Sequence, residues 1–398
     1  MTSPWSTSTV GEQFEVQLGK MLDAAKNAGV SKPYLGNRAV QWGRIDLSAV
    51  STVPLTSSDI RRFRLQHGDL LVCEGGEVGR GAIWRDELPE CYYQKALHRL
   101  RPRRGYDSRL MLAFLEYWSS VGGFTNYVTQ TSIAHLPRDK FIQMPLPLPT
   151  PAEQHRISDT LDDVKNLLSH LERLIAKKQA IKQGMMQQLL TGRSRLPGFT
   201  EQWLRIPIGE LYEQHRHTID PRQYRSRRFQ HFSLPAFDDG ENPGNDLGSS
   251  IDSIKFLVPA EAVLVSKLNP RIPRIWAPDH VGSNAVASTE FVVVTSKQGT
   301  NRSYLKWLLK SNSVITRMKL LATGTTGSHA RIHPRHIAAI EVVVPKESEQ
   351  IAIASVLDDI EEEVRILRIR LDKAKAVKKG VMQQLLTGRT RLPVEAAS

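Results

Sequence analysis

The chain of 398 residues is 40% hydrophobic and 24% charged, a balance that allows packed cores and two or three domains. A formal net charge of +13 and a pI near 9.7 suit a polyanionic partner, with nucleic acid first among them. No run approaches the ~18 apolar residues of a membrane span, and the first residues lack a basic-then-apolar signal pattern. Cys73 and Cys91 are too few for a disulfide framework or a metal cage, so a cytoplasmic protein with no membrane or metal site is expected.

Residues 1–149 mix short β-branched runs, glycine and proline turns and a few helical stretches, as an α/β or mixed α+β domain does. Leu110 to Trp118 reads as a short amphipathic helix. Gly75, Gly76, Gly79 and Gly81 lack the G-x-G-x-x-G spacing and read as a hairpin turn. Basic and polar residues fall in the expected turns: Arg61, Arg62 and Arg64, then Arg80, then Tyr92, Tyr93, Gln94 and Lys95, then Arg99, Arg101, Arg103 and Arg104.

A helical segment follows over 150–197. Thr150-Pro151-Ala152-Glu153 has capping-box spacing with proline at the first helical position. Ile157, Leu161, Val164, Leu168, Leu171 and Ile175 then recur at alternating four- and three-residue steps, a coiled-coil seam. Thr191-Gly192 and Pro197 end it. Residues 198–344 resemble the first domain in texture, with Val263-Leu264-Val265 and Phe291 to Val294 as buried strands and Tyr304 to Leu309 as a short helix. Their basic loops hold Arg222, Arg225, Arg227 and Arg228, then SKLNPRIPR (Ser266 to Arg274), then GTTGSHAR (Gly324 to Arg331). A second helical segment spans 345–393, with Ile353, Leu357, Ile360, Val364, Leu367 and Leu371 on its seam and Thr387-Gly388 and Pro393 at its end; 394–398 is a tail.

The chain is written twice. MQQLLTGRSRLP (Met186 to Pro197) returns as MQQLLTGRTRLP (Met382 to Pro393), and the same offset aligns Glu153-Gln154 with Glu349-Gln350 and Leu161-Asp162-Asp163 with Leu357-Asp358-Asp359. Fainter echoes pair MPLPLP with IEVVVP, Trp5 with Trp203, and GDLLVCE with EAVLVSK. Helices of about 40 residues, about 60 Å at ~1.5 Å per residue, expose more seam than one small domain covers. They are expected to pair antiparallel, placing the globular segments at opposite ends of a pseudo-twofold repeat; packing of each helix on its own domain is the alternative. Lys177, Lys178, Lys182 and Arg193, with Lys373, Lys375, Lys378, Lys379 and Arg389, are expected in the last turns, where cations complement the helix dipole.

No catalytic constellation is legible. There is no G-x-x-x-x-G-K-[ST] loop, Asn242-Pro243 and Asn269-Pro270 lack the aromatic of an amino-methyltransferase motif, and no lysine lies two residues after Glu290 to complete a nuclease pattern with Asp279. The histidines show no ligand spacing.

The whole pattern resembles the specificity subunits of type I restriction–modification systems. The most specific matches are PLPTPAEQ with LLTGRSRLPGFTEQW and VVVPKESEQ with LLTGRTRLP; YLGNRAVQWGRID, GDLLVCEGGEVGRG, VLVSKLNPR and the GTTGS loop are weaker. The resemblance implies two target recognition domains, each reading one half of a split double-stranded DNA site. Antiparallel helices would set the gap and recruit two methyltransferase subunits; a length of about 60 Å suits sites one to two turns apart at ~34 Å per turn. S-adenosylmethionine, ATP and magnesium would belong to the methyltransferase and restriction/translocase partners, with no cofactor and no catalysis in this chain. One departure is that only VEAAS follows the second helix; the segment from Trp5 would supply the missing lead-in and close the repeat into a circle.

Candidate DNA contacts are Arg80, Tyr93, Gln94, Lys95, Arg101 and Arg103 in the first domain, and Lys267, Asn269, Arg271, Arg274, Ser328, His329 and Arg331 in the second. Ile157, Leu161, Val164, Leu168 and Leu171, with Ile353, Leu357, Ile360, Val364 and Leu367, are the candidate helix-pair and partner-binding set. Two other readings remain: a coiled-coil adaptor between proteins, whose binding salt would affect little, and a self-contained restriction enzyme, which alone would cut or methylate DNA.

Overall fold

A computed structural model describes residues 5–23, 27–130, 134–324 and 330–393. The chain divides into two compact units: unit 1 holds Met1–Glu172 with Arg370–Ser398, and unit 2 holds Arg173–Ile369. Each contains one globular segment, the start of the long helix that follows it, and the end of the other long helix.

The two units share a frame. In unit 1 a four-stranded antiparallel sheet runs Phe14–Leu18, Leu97–Pro102, Leu70–Cys73, Gly81–Ile83. In unit 2 the order is Tyr212–His215, Phe291–Ser296, Val263–Ser266, Ile275–Trp276. Leu70–Cys73 and Val263–Ser266 are buried on both faces, which explains their unbroken apolar runs. A two-stranded ribbon accompanies each sheet, Ser6–Thr9 with Pro145–Leu148 and Leu204–Pro207 with Glu341–Val344. A helix covers each sheet: Ser108–Val121, capped by Asp107 and ended by Gly122 at φ 72°, and Arg302–Lys310, capped by Asn301. These bear out the strand and helix expectations there. The glycine run is a hairpin turn, with Gly76 and Gly79 at φ 76° and 83°, where a side chain would be strained.

Outside the frame the units diverge. Unit 1 carries a three-stranded sheet, Ser51–Leu55, Val30–Leu35, Tyr92–Tyr93. Unit 2 carries five strands, Thr218–Ile219, Lys255–Leu257, Ala285–Ser288, Arg228–Phe232, Gly244–Leu247. In both, one pair is parallel, Val30–Leu35 with Tyr92–Tyr93 and Arg228–Phe232 with Ala285–Ser288.

The long helices are Pro151–Leu189 and Glu347–Leu386, 39 and 40 residues. At Thr150 the capping box forms: the Glu153 amide donates to the Thr150 hydroxyl (3.4 Å) and the Thr150 amide to the Glu153 carboxylate (3.0 Å). Gly192 and Gly388 stand just past the ends at φ 70° and 69°, the left-handed stops their sequence implies. In unit 1, Ile157 and Leu161 enter one core with Met382, Leu385 and Leu386 and with the globular domain; in unit 2, Ile353 and Leu357 do so with Met186, Leu189 and Leu190. Each unit thus packs the start of one helix beside the end of the other, antiparallel, and both upon the domain. Leu171, Val364 and Leu367 are buried, while Val164, Leu168 and Ile360 are half-buried.

The basic residues do not serve the helix dipoles. Neither helix has a cation in its last turn, because Lys177, Lys178 and Lys182 lie two to three turns before Leu189. Several face carboxylates instead: Lys178 bonds Glu363 at 2.5 Å and Lys182 bonds Glu361 within unit 2, and Lys378 bonds Glu116 within unit 1.

Candidate nucleic-acid interface

Equivalent hydrogen bonds build the same loop platform in both units. The Cys73 amide donates to the Arg80 carbonyl (2.7 Å) as Ser266 does to Arg274 (2.9 Å). Glu74 donates to Ala96 and receives from Leu136, as Lys267 donates to Glu290 and receives from Ile332. Gly75 bridges His135 as Leu268 bridges Arg331. Arg80 therefore corresponds to Arg274, and Gly76 to Asn269, which shares its positive φ (47°).

On this platform the side chains differ. In unit 2, Lys267 and Arg331 line one concave surface with Gln214, Arg216 and His333 above Phe256 and Phe291. The Arg331 guanidinium makes two bonds to Glu290 at 3.1 and 3.2 Å. Burial lowers the His333 pKa, and Arg335, His336, Arg216 and Lys267 nearby lower it further. Arg274 is held by two 2.7 Å bonds to Asp238, while Arg271 is exposed. Asn269 is half-buried, its amide donating to Ala330 (2.7 Å). Ser328 and His329 lie outside the described residues.

In unit 1 a concave surface is lined by Tyr34, Asn37, Arg38, Gln41, Arg80 and Gln94. Arg80 is largely committed to its own loop, donating to the Asn37 carbonyl (2.9 Å) and to Glu77 (3.2 Å). Arg101 is locked to the buried Asp69 by two 2.7 Å bonds. Tyr93 is fully buried and shows nothing to the surface. Lys95 and Arg103 are exposed, and Arg103 makes no side-chain hydrogen bond among the described residues. Sequence reasoning did not single out Asn37, Arg38 and Gln41, although they sit within the family-like phrase YLGNRAVQWGRID; Arg216 and His333 were signalled only by the basic runs HRH and HPRH.

A second constellation is repeated without change. Glu153 and Gln154, and Glu349 and Gln350, are buried polar residues at the helix starts. Trp203 and Arg195 both donate to Glu349, at 3.1 Å and at 2.6 and 2.7 Å. Trp5 donates to Glu153 at 3.4 Å and Arg391 at 2.8 Å. Trp5 thus supplies in unit 1 what Trp203 supplies in unit 2, closing the repeat as the sequence implied. Burial raises the Glu153 carboxyl pKa, but the bonds from Arg391, Thr150 and Trp5 outweigh it and hold the group below its ordinary value. Gln154 donates to Pro149 (2.9 Å) and accepts from Asp107 (2.9 Å); Gln350 donates to Pro345 (3.0 Å) and accepts from Asn301 (3.0 Å), the N-cap of the covering helix.

Among the described residues, no helix is long and apolar enough to cross a membrane, and no group of three or more His, Cys, Asp or Glu is placed to hold a metal.

Residues 2–183 match the family model of the type I restriction modification DNA specificity domain. A type I restriction enzyme specificity subunit of Methanocaldococcus jannaschii is 21% identical over 419 aligned positions, covering 96% of this chain and 95% of that protein. Among solved structures, the S subunit of a type I restriction–modification system from M. genitalium aligns with TM-score 0.60 at 13% identity, covering 96% of both chains. A chain from a structure of complex assembly and conformational transition of the type I system aligns with TM-score 0.57 at 16% identity, covering 98% of this chain and 100% of that one. The structural likenesses speak for the fold.

Proposed function

We propose that this chain is a specificity subunit of a type I restriction–modification system, a DNA-recognising and non-catalytic member, and that each of its units reads one half of a bipartite target. The observation that carries this reading is a duplicated frame bearing unlike outer sheets and unlike basic loops. A shared frame fixes how each unit meets DNA, and different loops make the two half-sites different.

The long helices set the interval between half-sites and recruit two methyltransferase subunits, with restriction/translocase subunits joining them. Exposed Leu167, Ile181, Ile366, Ile369 and Val377 on the helices support a docking role. S-adenosylmethionine, ATP and magnesium serve the partners, in the cytoplasm. The adaptor reading is disfavoured by the concave surface that gathers Arg216, Lys267 and Arg331.

The test is a map of methylated adenines in the host genome with and without this gene. Loss of one split motif, two short half-sites about a fixed gap, is expected. Where the methyltransferase is active, an unchanged map refutes the proposal.

A further inference from the structure

We propose that the turn Asn269–Pro273 of unit 2 is a base-reading tip, in which Arg271 addresses a guanine and Ile272 the methyl group of an adjacent thymine. The inference rests on the DNA-recognition reading above and assigns atoms to it.

The tip joins Val263–Ser266 and Ile275–Trp276, neighbouring strands of the four-stranded sheet, so a turn at the end of a buried scaffold carries it. It is rigid by construction. Asn269 holds a positive φ of 47°, the Ile272 amide donates to the Asn269 carbonyl (2.9 Å), and Pro270 and Pro273 fix two further φ angles. Its base is bolted on both sides. Arg274 is clamped by Asp238 at 2.7 Å, and Asn269 is tied to Ala330 at 2.7 Å.

What this rigid turn presents has no internal use. Arg271 is exposed and makes no side-chain hydrogen bond or ion pair among the described residues, and Ile272 is 53% exposed. A guanidinium beside an aliphatic group on a turn of fixed backbone matches the O6/N7 edge of guanine and the C5 methyl of thymine. Consecutive Cα atoms are ~3.8 Å apart, close to one base step, so neighbouring residues address neighbouring base pairs. A pre-ordered tip also avoids the entropy loss of freezing a loop on binding. Lys267, two residues before the tip, lines a concave surface with Arg216 and Arg331, cations that would take phosphates.

The equivalent turn in unit 1 is closed. Glu77 takes the Trp42 indole N–H at 2.5 Å and the Arg80 guanidinium at 3.2 Å, and this turn, one residue shorter, has no arginine between Gly76 and Arg80. A Cβ at Gly79 would lie 2.4 Å from the Phe124 ring, so that turn is packed inward. The tip is thus a property of unit 2.

The experiment is to assemble the full chain with its methyltransferase subunits and read the methylated motif for wild type, Arg271→Ala, Arg271→Lys, Ile272→Ala, Asp238→Asn and Lys267→Ala. Arg271→Ala is expected to relax one guanine position in one half-site, with discrimination falling about 5- to 150-fold. Arg271→Lys relaxes the same position, because charge remains but the two-pronged contact does not. Ile272→Ala relaxes the adjacent thymine, and Asp238→Asn, a positioning change, relaxes both more weakly. Lys267→Ala lowers modification of all sequences alike and reduces the salt slope by about 1. A motif unchanged by Arg271→Ala and Ile272→Ala, or a uniform loss across sequences, overturns the assignment. If the wild-type complex shows no split motif, the DNA-recognition reading falls with it.

Discussion

Unit 1 and unit 2 are alike wherever they meet the long helices and unlike wherever their outer strands lie. Glu153 and Glu349 take the same tryptophan and arginine donors, Gln154 and Gln350 the same backbone partners, and the four-stranded sheets have the same order. The outer sheets have three strands in one unit and five in the other. Buried, fully bonded polar groups tolerate little substitution, since a lost partner leaves an orphan in low dielectric. Exposed loops carry no such debt, so difference accumulates there.

The comparison breaks first at the apolar anchors. Leu161 and Leu357 are each under 3% exposed, each in the core of its own unit. Removing such a side chain costs about 2–5 kcal/mol, and a charge adds its burial penalty. Leu161→Asp and Leu357→Asp should each abolish the folded form of its unit, read by thermal unfolding and limited proteolysis. Wild-type melting of either variant would show that the helix is not part of that core.

The carboxylates sharpen it. Glu153→Gln and Glu349→Gln should lower the unfolding midpoint by similar amounts, because each loses the charge that its arginine faces. Unequal shifts would mean that the two clasps are alike in geometry but not in energy. The pH dependence follows from the depressed Glu153 pKa: its contribution is complete above the ordinary carboxylate range and is lost as pH falls through the lower folded value. Glu153→Gln should therefore flatten the acid limb of the stability curve.

The smallest effect belongs to the helix stops. Gly388→Ala forces an L side chain to φ 69° and should cost about 1–2 kcal/mol, seen as a modest drop in the midpoint. No change there would point to a relaxed turn.

Much of the frame was legible because it depends on local pattern. The 3.5-residue seam, the Thr150–Glu153 box, the glycine stops and the repeated EQ pair are written in neighbouring letters. The candidate recognition surface was legible only in part, for a physical reason: an arginine does not reveal in sequence which carboxylate it meets. Arg101 finds Asp69, Arg274 finds Asp238 and Arg331 finds Glu290, partners 32 to 41 residues away. The helix lysines went astray likewise, their partners Glu361 and Glu363 lying on the other helix. Asn37 and Gln41 were hidden because single amides carry no pattern until a fold gathers them.

The repeated Glu–Arg–Trp clasp has a consequence for how such a molecule diversifies. Each arginine comes from the tail of one helix and each glutamate from the head of the other, so every joint in the chain is cut to the same gauge. A new outer sheet grafted between one tryptophan and the next long helix would meet fittings it already matches. An outer sheet is then exchangeable as a cartridge, and the frame need not be retuned for each new one.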